Sequence, residues 1–218
     1  MVYSDDRKLA LSGWLKMNGN AEYHSALKLQ KFLLFYEAFT KVDGEQADFT
    51  GLKGYKKGPV FSSVWGDYTH DRLGFDEAAY EAYLSNARFI NTVRAIKSDF
   101  LVSILSENDL SGLTHKMNLW KSKETRIMSG EYQVELDEND FDENDFRFMR
   151  TLERMYPLSF IEQTSIIRID NHYFLFSKTD AAKLTEQHYD ILSMISEQEN
   201  LDNPVYVEIG AEGRLIID

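Results

Sequence analysis

Cysteine is absent from the 218 residues. The chain therefore has no disulfide and no thiol nucleophile, and its composition agrees with a reducing cytosol. Long apolar runs are missing too: no stretch approaches the ~20 residues that cross a bilayer. The first residues, Met1 to Asp6, carry neither the basic region nor the apolar run of a secretory signal. A soluble cytoplasmic protein with no membrane segment is expected. Basic residues are outnumbered 24 to 36, for a net charge of −12. Affinity for nucleic acid comes largely from Lys and Arg neutralising phosphates, so the average field argues against a polyanionic partner. It favours solubility, or steering toward a basic protein.

Several reaction-centre patterns are missing as well. There is no Gly-x-Ser-x-Gly elbow, and the glycines Gly51, Gly54 and Gly58 beside Lys56 and Lys57 lack the Gly-Lys-Ser/Thr of a phosphate-binding loop. The histidines His24, His70, His115, His172 and His188 are scattered, with no i, i+4 pair to hold zinc. A calcium loop starting at Asp140 would find ligands at Asp142 and Asn144. Asp145 then stands where the turn glycine belongs, and Thr151 where the bidentate glutamate belongs. No metal, no cofactor and no catalytic residue is expected, and the chain is read as a non-enzyme.

What is abundant is core-forming material. Hydrophobic residues make up 43% and aromatics 13%, including 14 Phe and 12 Tyr, enough for a packed interior rather than a disordered chain. Helices are predicted over 6–17, with Leu11, Trp14 and Leu15 on one face, and over 26–40. In the second, Leu29, Phe32, Leu33 and Tyr36 form the stripe, widened by Phe35 and Phe39. A Gly- and Lys-rich loop is expected over 42–59, then a short helix over 60–68. A helix over 75–84 has Asp76 available as a cap, and one long helix is expected over 87–105 with Phe89, Val93, Ile96, Phe100 and Ile104 inward. The tandem Asp137–Phe141 and Asp142–Phe146 places negative charge before a helix over 144–156, where it opposes the macrodipole. Phe148, Leu152 and Met155 are expected on the apolar face of that helix.

The last part of the chain changes character. Ile166–Ile169 and His172–Phe176 flank Asp170-Asn171 as a hairpin. A helix over 185–197, with Tyr189, Leu192 and Ile195 inward, precedes a second hairpin, Pro204–Ile209 with Arg214–Ile217. The expected class is α+β. A mainly helical domain over 1–130 precedes an extension over 131–218, which holds a small antiparallel sheet of two hairpins plus a helix.

Three blocks, in order, resemble the Panacea (SocA-like, DUF4065) antitoxin domain. Lys28-Leu29-Gln30-Lys31-Phe32-Leu33-Leu34-Phe35 is similar to the family's KLQKLLYF helix, and Gly58-Pro59-Val60 to its GPV. Leu110-Ser111-Gly112-Leu113-Thr114-His115, ending at Trp120, is similar to LSxLTHxExPW. Leu34 replaces a tyrosine, Met117 an acidic residue and Leu119 a proline, and the resemblance spans about 6–123. It implies a compact helical antitoxin, in some relatives phage-associated, that neutralises a cognate toxin by direct binding. The alternatives are an adaptor that delivers the toxin to a cellular protease, or a DNA-binding autoregulator of its operon.

Read from the residues, Leu29 and Phe35 belong to the core, whereas Lys28 and Lys31 can extend to solvent over apolar surface. Gly58 and Pro59 set a turn, with Val60 after it. Thr114 is a candidate cap for a helix holding His115 to Trp120, and those two rings are candidates for a buried hydrogen-bonded pair. Lys28, Lys31, Tyr55, Lys56, Lys57, Trp65 and Tyr68 are the candidate partner-binding residues, since Tyr and Trp are common interface anchors.

Overall fold

The computed structural model describes residues 1–198 and 201–217. The chain forms α1 (Asp6–Asn18), α2 (Ala26–Val42), β1 (Leu52–Tyr55), β2 (Gly58–Phe61), α3 (Ser62–His70), α4 (Arg72–Ser85), α5 (Thr92–Ser103), α6 (Glu107–His115), α7 (Asn118–Lys121) and α8 (Glu124–Met128). It continues through β3 (Val134–Glu135), α9 (Glu143–Met155), α10 (Leu158–Gln163), β4 (Thr164–Ile169), β5 (His172–Ser177), α11 (Lys178–Ala181), α12 (Glu186–Ser196), β6 (Val205–Ile209) and β7 (Leu215–Ile217). The class is α+β, with helices dominating the first part and a four-stranded sheet near the end. No helix among the described residues is long and apolar enough to cross a membrane.

Helix α2 is the axis of the body. Ser25 caps it by accepting from the Lys28 amide, and Leu29, Phe32, Leu33, Leu34 and Phe35 are all fully buried. The helix is therefore enclosed on most sides, as the width of its aromatic stripe predicts. Trp14 of α1 stacks on Phe32 with ring centroids 5.8 Å apart. On its other side α1 lies against α4, and Gly13 allows the approach: a Cβ there would strike the Ala79 carbonyl.

The long helix predicted over 87–105 is broken. A 3-10 turn, Ala87–Phe89, precedes α5, whose cap is Asn91. Periodicity continues through the break, so it leaves no mark in the hydrophobic pattern. The buried Tyr36 hydroxyl holds the break by donating to the Phe89 carbonyl (2.7 Å) and accepting from the Asn91 amide (2.8 Å). The inward face of α5 is Ala95, Ser98, Phe100 and Leu101, while Val93 is 43% exposed.

The stretch predicted as loop over 42–59 contains β1 and the first half of β2, which pair antiparallel around the two-residue turn Lys56-Lys57. Four-residue strands bearing lysine and glycine alternate too briefly to be seen as strands. β2 runs to Phe61, so the helix expected from Val60 begins at Ser62. β3 adds to β1, giving the order β2-β1-β3.

Asp71, rather than Asp76, caps α4; Asp76 accepts from the Tyr23 hydroxyl (2.5 Å) and from Arg72 Nε (2.8 Å). In the acidic tandem each copy repeats one local geometry. Asp137 accepts from the Asn139 amide (2.7 Å) and Asp142 from the Asn144 amide (2.9 Å), so Asp142 caps α9 as expected. The buried face of α9 is Asp145, Met149 and Leu152, with Phe148 half-buried and Met155 exposed. Val134, Leu136, Phe141, Met149, Leu152 and Tyr156 all join the large cluster built around α2.

The terminal sheet has the order β4-β5-β6-β7. Both expected hairpins form, but β5 and β6 pair in parallel, so the sheet is mixed rather than antiparallel. The reason is the connection: α11 and α12 carry the chain across before β6 returns in the direction of β5. β5 is buried on both faces. Leu175 packs into the large cluster, while Phe174 and Phe176 join Leu192 of α12 in a smaller one. Tyr189, expected inward on α12, is exposed.

Tyr36→Phe removes a group that serves two buried partners at once. A loss of about 1–3 kcal/mol is expected, measured as a lower urea midpoint at unchanged denaturant slope.

Candidate functional site

β2 is an edge strand of its sheet, and its peptide groups face α2. Gln30, buried within the apolar face of that helix, satisfies them. Its Oε1 accepts from the Phe61 amide at 2.7 Å, and its Nε2 donates to the Phe61 carbonyl at 3.4 Å. One primary amide thus makes both bonds that an adjacent strand would make. Lys31, fully buried, donates from Nζ to the Pro59 carbonyl at 3.2 Å.

The third block holds the turn of the same hairpin. Trp120 Nε1 donates to the Tyr55 carbonyl at 3.0 Å, and Ser111 Oγ donates to the Lys57 carbonyl at 3.2 Å. Gly58, at φ +100°, sits between the blocks: a Cβ there would run into Lys31 Nζ and Thr114 Oγ1. Glycine is required both for the backbone angle and for the space. The three blocks that carry the family resemblance therefore converge on one turn.

Thr114 does not cap the following helix. It lies in the last turn of α6, where its hydroxyl donates to the Leu110 carbonyl at 3.0 Å. The amides that open α7 are met by Asp145 of α9, which accepts from Asn118 at 2.6 Å and Leu119 at 2.8 Å. His115 and Trp120 are not hydrogen-bonded to each other. Their rings stack, with centroids 3.8 Å apart and planes 13° from parallel. Burial, with the Lys31 charge second, holds the imidazole below its usual range. Its Nε2 is buried with no hydrogen-bond partner among the described residues. No group of three or more His, Cys, Asp or Glu side chains among those residues is placed to hold a metal ion.

Beside this junction lies a cavity of about 500 Å³, lined by Ala26, Leu27, Gln30 and Lys31 of α2, Tyr55 to Lys57 and Val60 of the hairpin, Trp65 of α3 and Glu107 of α6. That volume falls in the range of ligand and anchor pockets. Five of the seven candidate partner-binding residues, Lys31, Tyr55, Lys56, Lys57 and Trp65, meet here. Trp65 is 38% exposed and both turn lysines are exposed. Two candidates lie elsewhere. Tyr68 is a core residue whose hydroxyl donates to the Tyr23 carbonyl at 2.8 Å. Lys28, expected at the surface, is buried. It pairs with Glu22 at 2.7 Å and reaches the Tyr173 hydroxyl of β5 at 3.1 Å.

Lys31 is also buried, contrary to the solvent-facing expectation. Its one hydrogen-bond acceptor among the described residues is the Pro59 carbonyl, and it has no carboxylate partner there. Burial pulls the ammonium from 10.5 to about 7. Sequence reasoning did not foresee the roles of Gln30 as an edge cap, of Ser111, or of Ala26, Leu27 and Glu107 as cavity walls. A glutamine within an apolar helical run was the available signal, because a buried amide requires partners.

Gln30→Leu leaves the Phe61 amide unsatisfied, so a loss of about 1–3 kcal/mol is expected in urea unfolding. Lys31→Met is expected to change the pH profile. The unfolded chain keeps the lysine proton up to about pH 10.5 and the folded chain releases it near 7. Across that window the unfolded state binds the extra proton, so stability rises with pH, and below pH 7 the buried charge weighs fully against folding. The variant should therefore gain most over the parent at pH 6 and progressively less toward pH 10, read from urea midpoints; a pH-independent difference would exclude it. Comparison with family models, with curated proteins and with solved structures gives no match to this chain.

Proposed function

We propose that the chain is an antitoxin that neutralises a cognate toxin by direct protein–protein contact, in a cytoplasmic setting. One observation carries the reading. The three segments similar to the Panacea antitoxin domain gather around a single hairpin, and the first two contribute Gln30, Lys31 and Val60 to the wall of an apolar cavity that also holds an exposed tryptophan and two exposed lysines. Tryptophan at the mouth of an apolar pocket is the usual character of an energetic anchor in a protein interface. The hairpin is tied down along β2 by Gln30 and Lys31 and at its turn by Ser111 and Trp120. A docking surface held this firmly loses little freedom when occupied.

The test is co-expression with the product of the adjacent reading frame. Growth arrest by that product alone, relief when this chain is present, and recovery of the two as a complex are the expected results. Trp65→Ala should weaken the complex by roughly tenfold or more. A neighbour that is harmless, or whose toxicity the folded chain leaves untouched, would sink the reading.

A further inference from the structure

The two turn lysines differ from most other basic groups of the body. Lys53, on the same hairpin, pairs with Glu135 at 2.6 Å. Lys8 pairs with Glu37 and Asp48, each at 3.0 Å, and Arg94 pairs with Asp43 at 2.6 Å. Lys56 and Lys57 are exposed and have no carboxylate partner among the described residues. The turn that carries them is fixed, because the carbonyls of Tyr55 and Lys57 are both bound by side chains of the third block.

Two polar side chains of the cavity wall are already engaged. Gln30 is committed to Phe61. Glu107, the acidic group on the wall, accepts from the Ser25 hydroxyl at 2.6 Å. To an incoming group the cavity offers apolar surface from Ala26, Leu27, Val60 and Trp65, and beside it the exposed ammonium groups of Lys56 and Lys57, which have no carboxylate partner among the described residues. In a chain of net charge −12, the turn itself carries two adjacent lysines without a carboxylate partner among the described residues, against the single carboxylate of Glu107 on the cavity wall. A basic partner segment, which the net charge alone would favour, meets the wrong sign here.

We infer that the segment docking in this cavity is a peptide stretch of the partner in which a large apolar side chain is flanked by Asp or Glu. The apolar group fills the space between Leu27, Val60 and Trp65, and the carboxylates reach Lys56 and Lys57. This inference rests on the protein-binding reading and specifies the chemistry of the partner. A phosphate backbone would match the lysines but would leave the apolar walls uncovered, so a peptide is the occupant that uses both features.

Selection from a randomised peptide library displayed on phage, against the full chain, tests it. Enrichment of sequences with Leu, Phe or Trp next to Asp or Glu is expected. A synthetic peptide of the enriched sequence should bind roughly tenfold or more weakly to the Lys56→Ala, Lys57→Ala double variant. It should not bind to Val60→Trp, which fills the cavity. Charge reversal with Lys56→Glu and Lys57→Glu, at exposed positions that leave the core intact, should turn the selection toward Lys- and Arg-bearing peptides.

Enrichment of basic peptides by the parent chain, no enrichment, or an enriched peptide indifferent to both lysines would overturn the inference. So would tighter binding of a single-stranded oligonucleotide than of any selected peptide at this turn. The two readings fail separately. Toxin neutralisation that ignores reversal of Lys56 and Lys57 sinks this one alone, whereas peptide selection as expected without any effect on the neighbour's toxicity sinks the antitoxin reading alone.

Discussion

A strand at the rim of a sheet presents peptide groups that water, another strand or a side chain must satisfy. In this protein β2 is covered by α2, so water has no access to the inner side of the strand and α2 has to supply the bonds itself. Gln30 does so with both ends of one amide, and Lys31 adds the Pro59 carbonyl one residue along the helix. Everything at the candidate site follows from that contact. It sets the distance between helix and hairpin, it leaves a gap where the shorter Ala26 and the half-buried Leu27 face Val60, and it forces glycine at position 58. The bonds from Trp120 and Ser111 then lock the turn of the hairpin.

Elements whose period is long and uninterrupted were legible in the sequence. α1, α2 and the hairpin of β4 and β5 match their hydrophobic patterns, and the acidic tandem begins α9 by capping, as its charge indicates. Elements decided by tertiary bonds were not legible. The break before α5 depends on a tyrosine hydroxyl more than fifty residues upstream, and α7 is capped by Asp145 from another helix. The hairpin of β1 and β2 was hidden because its strands are too short for alternation to stand out. The lysines at the candidate site divide in the same way. Lys56 and Lys57 stand exposed on a turn, as lysines usually do. Lys28 and Lys31 lie on the first turns of a helix whose surroundings are entirely supplied by distant segments, so nothing local marks them as buried.

The buried charges of the body are handled unequally. Glu37, fully buried, accepts from Arg7 Nε at 2.8 Å, from Lys8 Nζ at 3.0 Å and from the Asp48 amide at 2.9 Å. That network is closed, and removing any one member would strand the others. Lys31 has only a carbonyl. Asp99 of α5 has a buried Oδ1 without a partner among the described residues, and burial, with Glu22 second, pushes its carboxyl up to about 7. The body is thus tightly compensated around α1 and loosely compensated around the start of α2 and the middle of α5. The loosely held groups border the cavity and the junction with the terminal sheet, while the closed network supports the opposite end of α2.

The central strand of the first sheet has one more consequence. β1 pairs with β2 across a two-residue turn and with β3 across a span in which Lys53 and Glu135 stand 82 positions apart. A chain emerging from the ribosome can close the local hairpin at once, but the far edge of β1 stays open until residues 134–135 have left the exit tunnel. Closing so long a loop costs entropy before its contacts reward it. Until then the nascent body carries an unpaired strand edge, the feature most prone to sticking to a neighbouring chain. Completion of β3 is therefore a late event in folding, later than closure of the turn that presents Lys56 and Lys57.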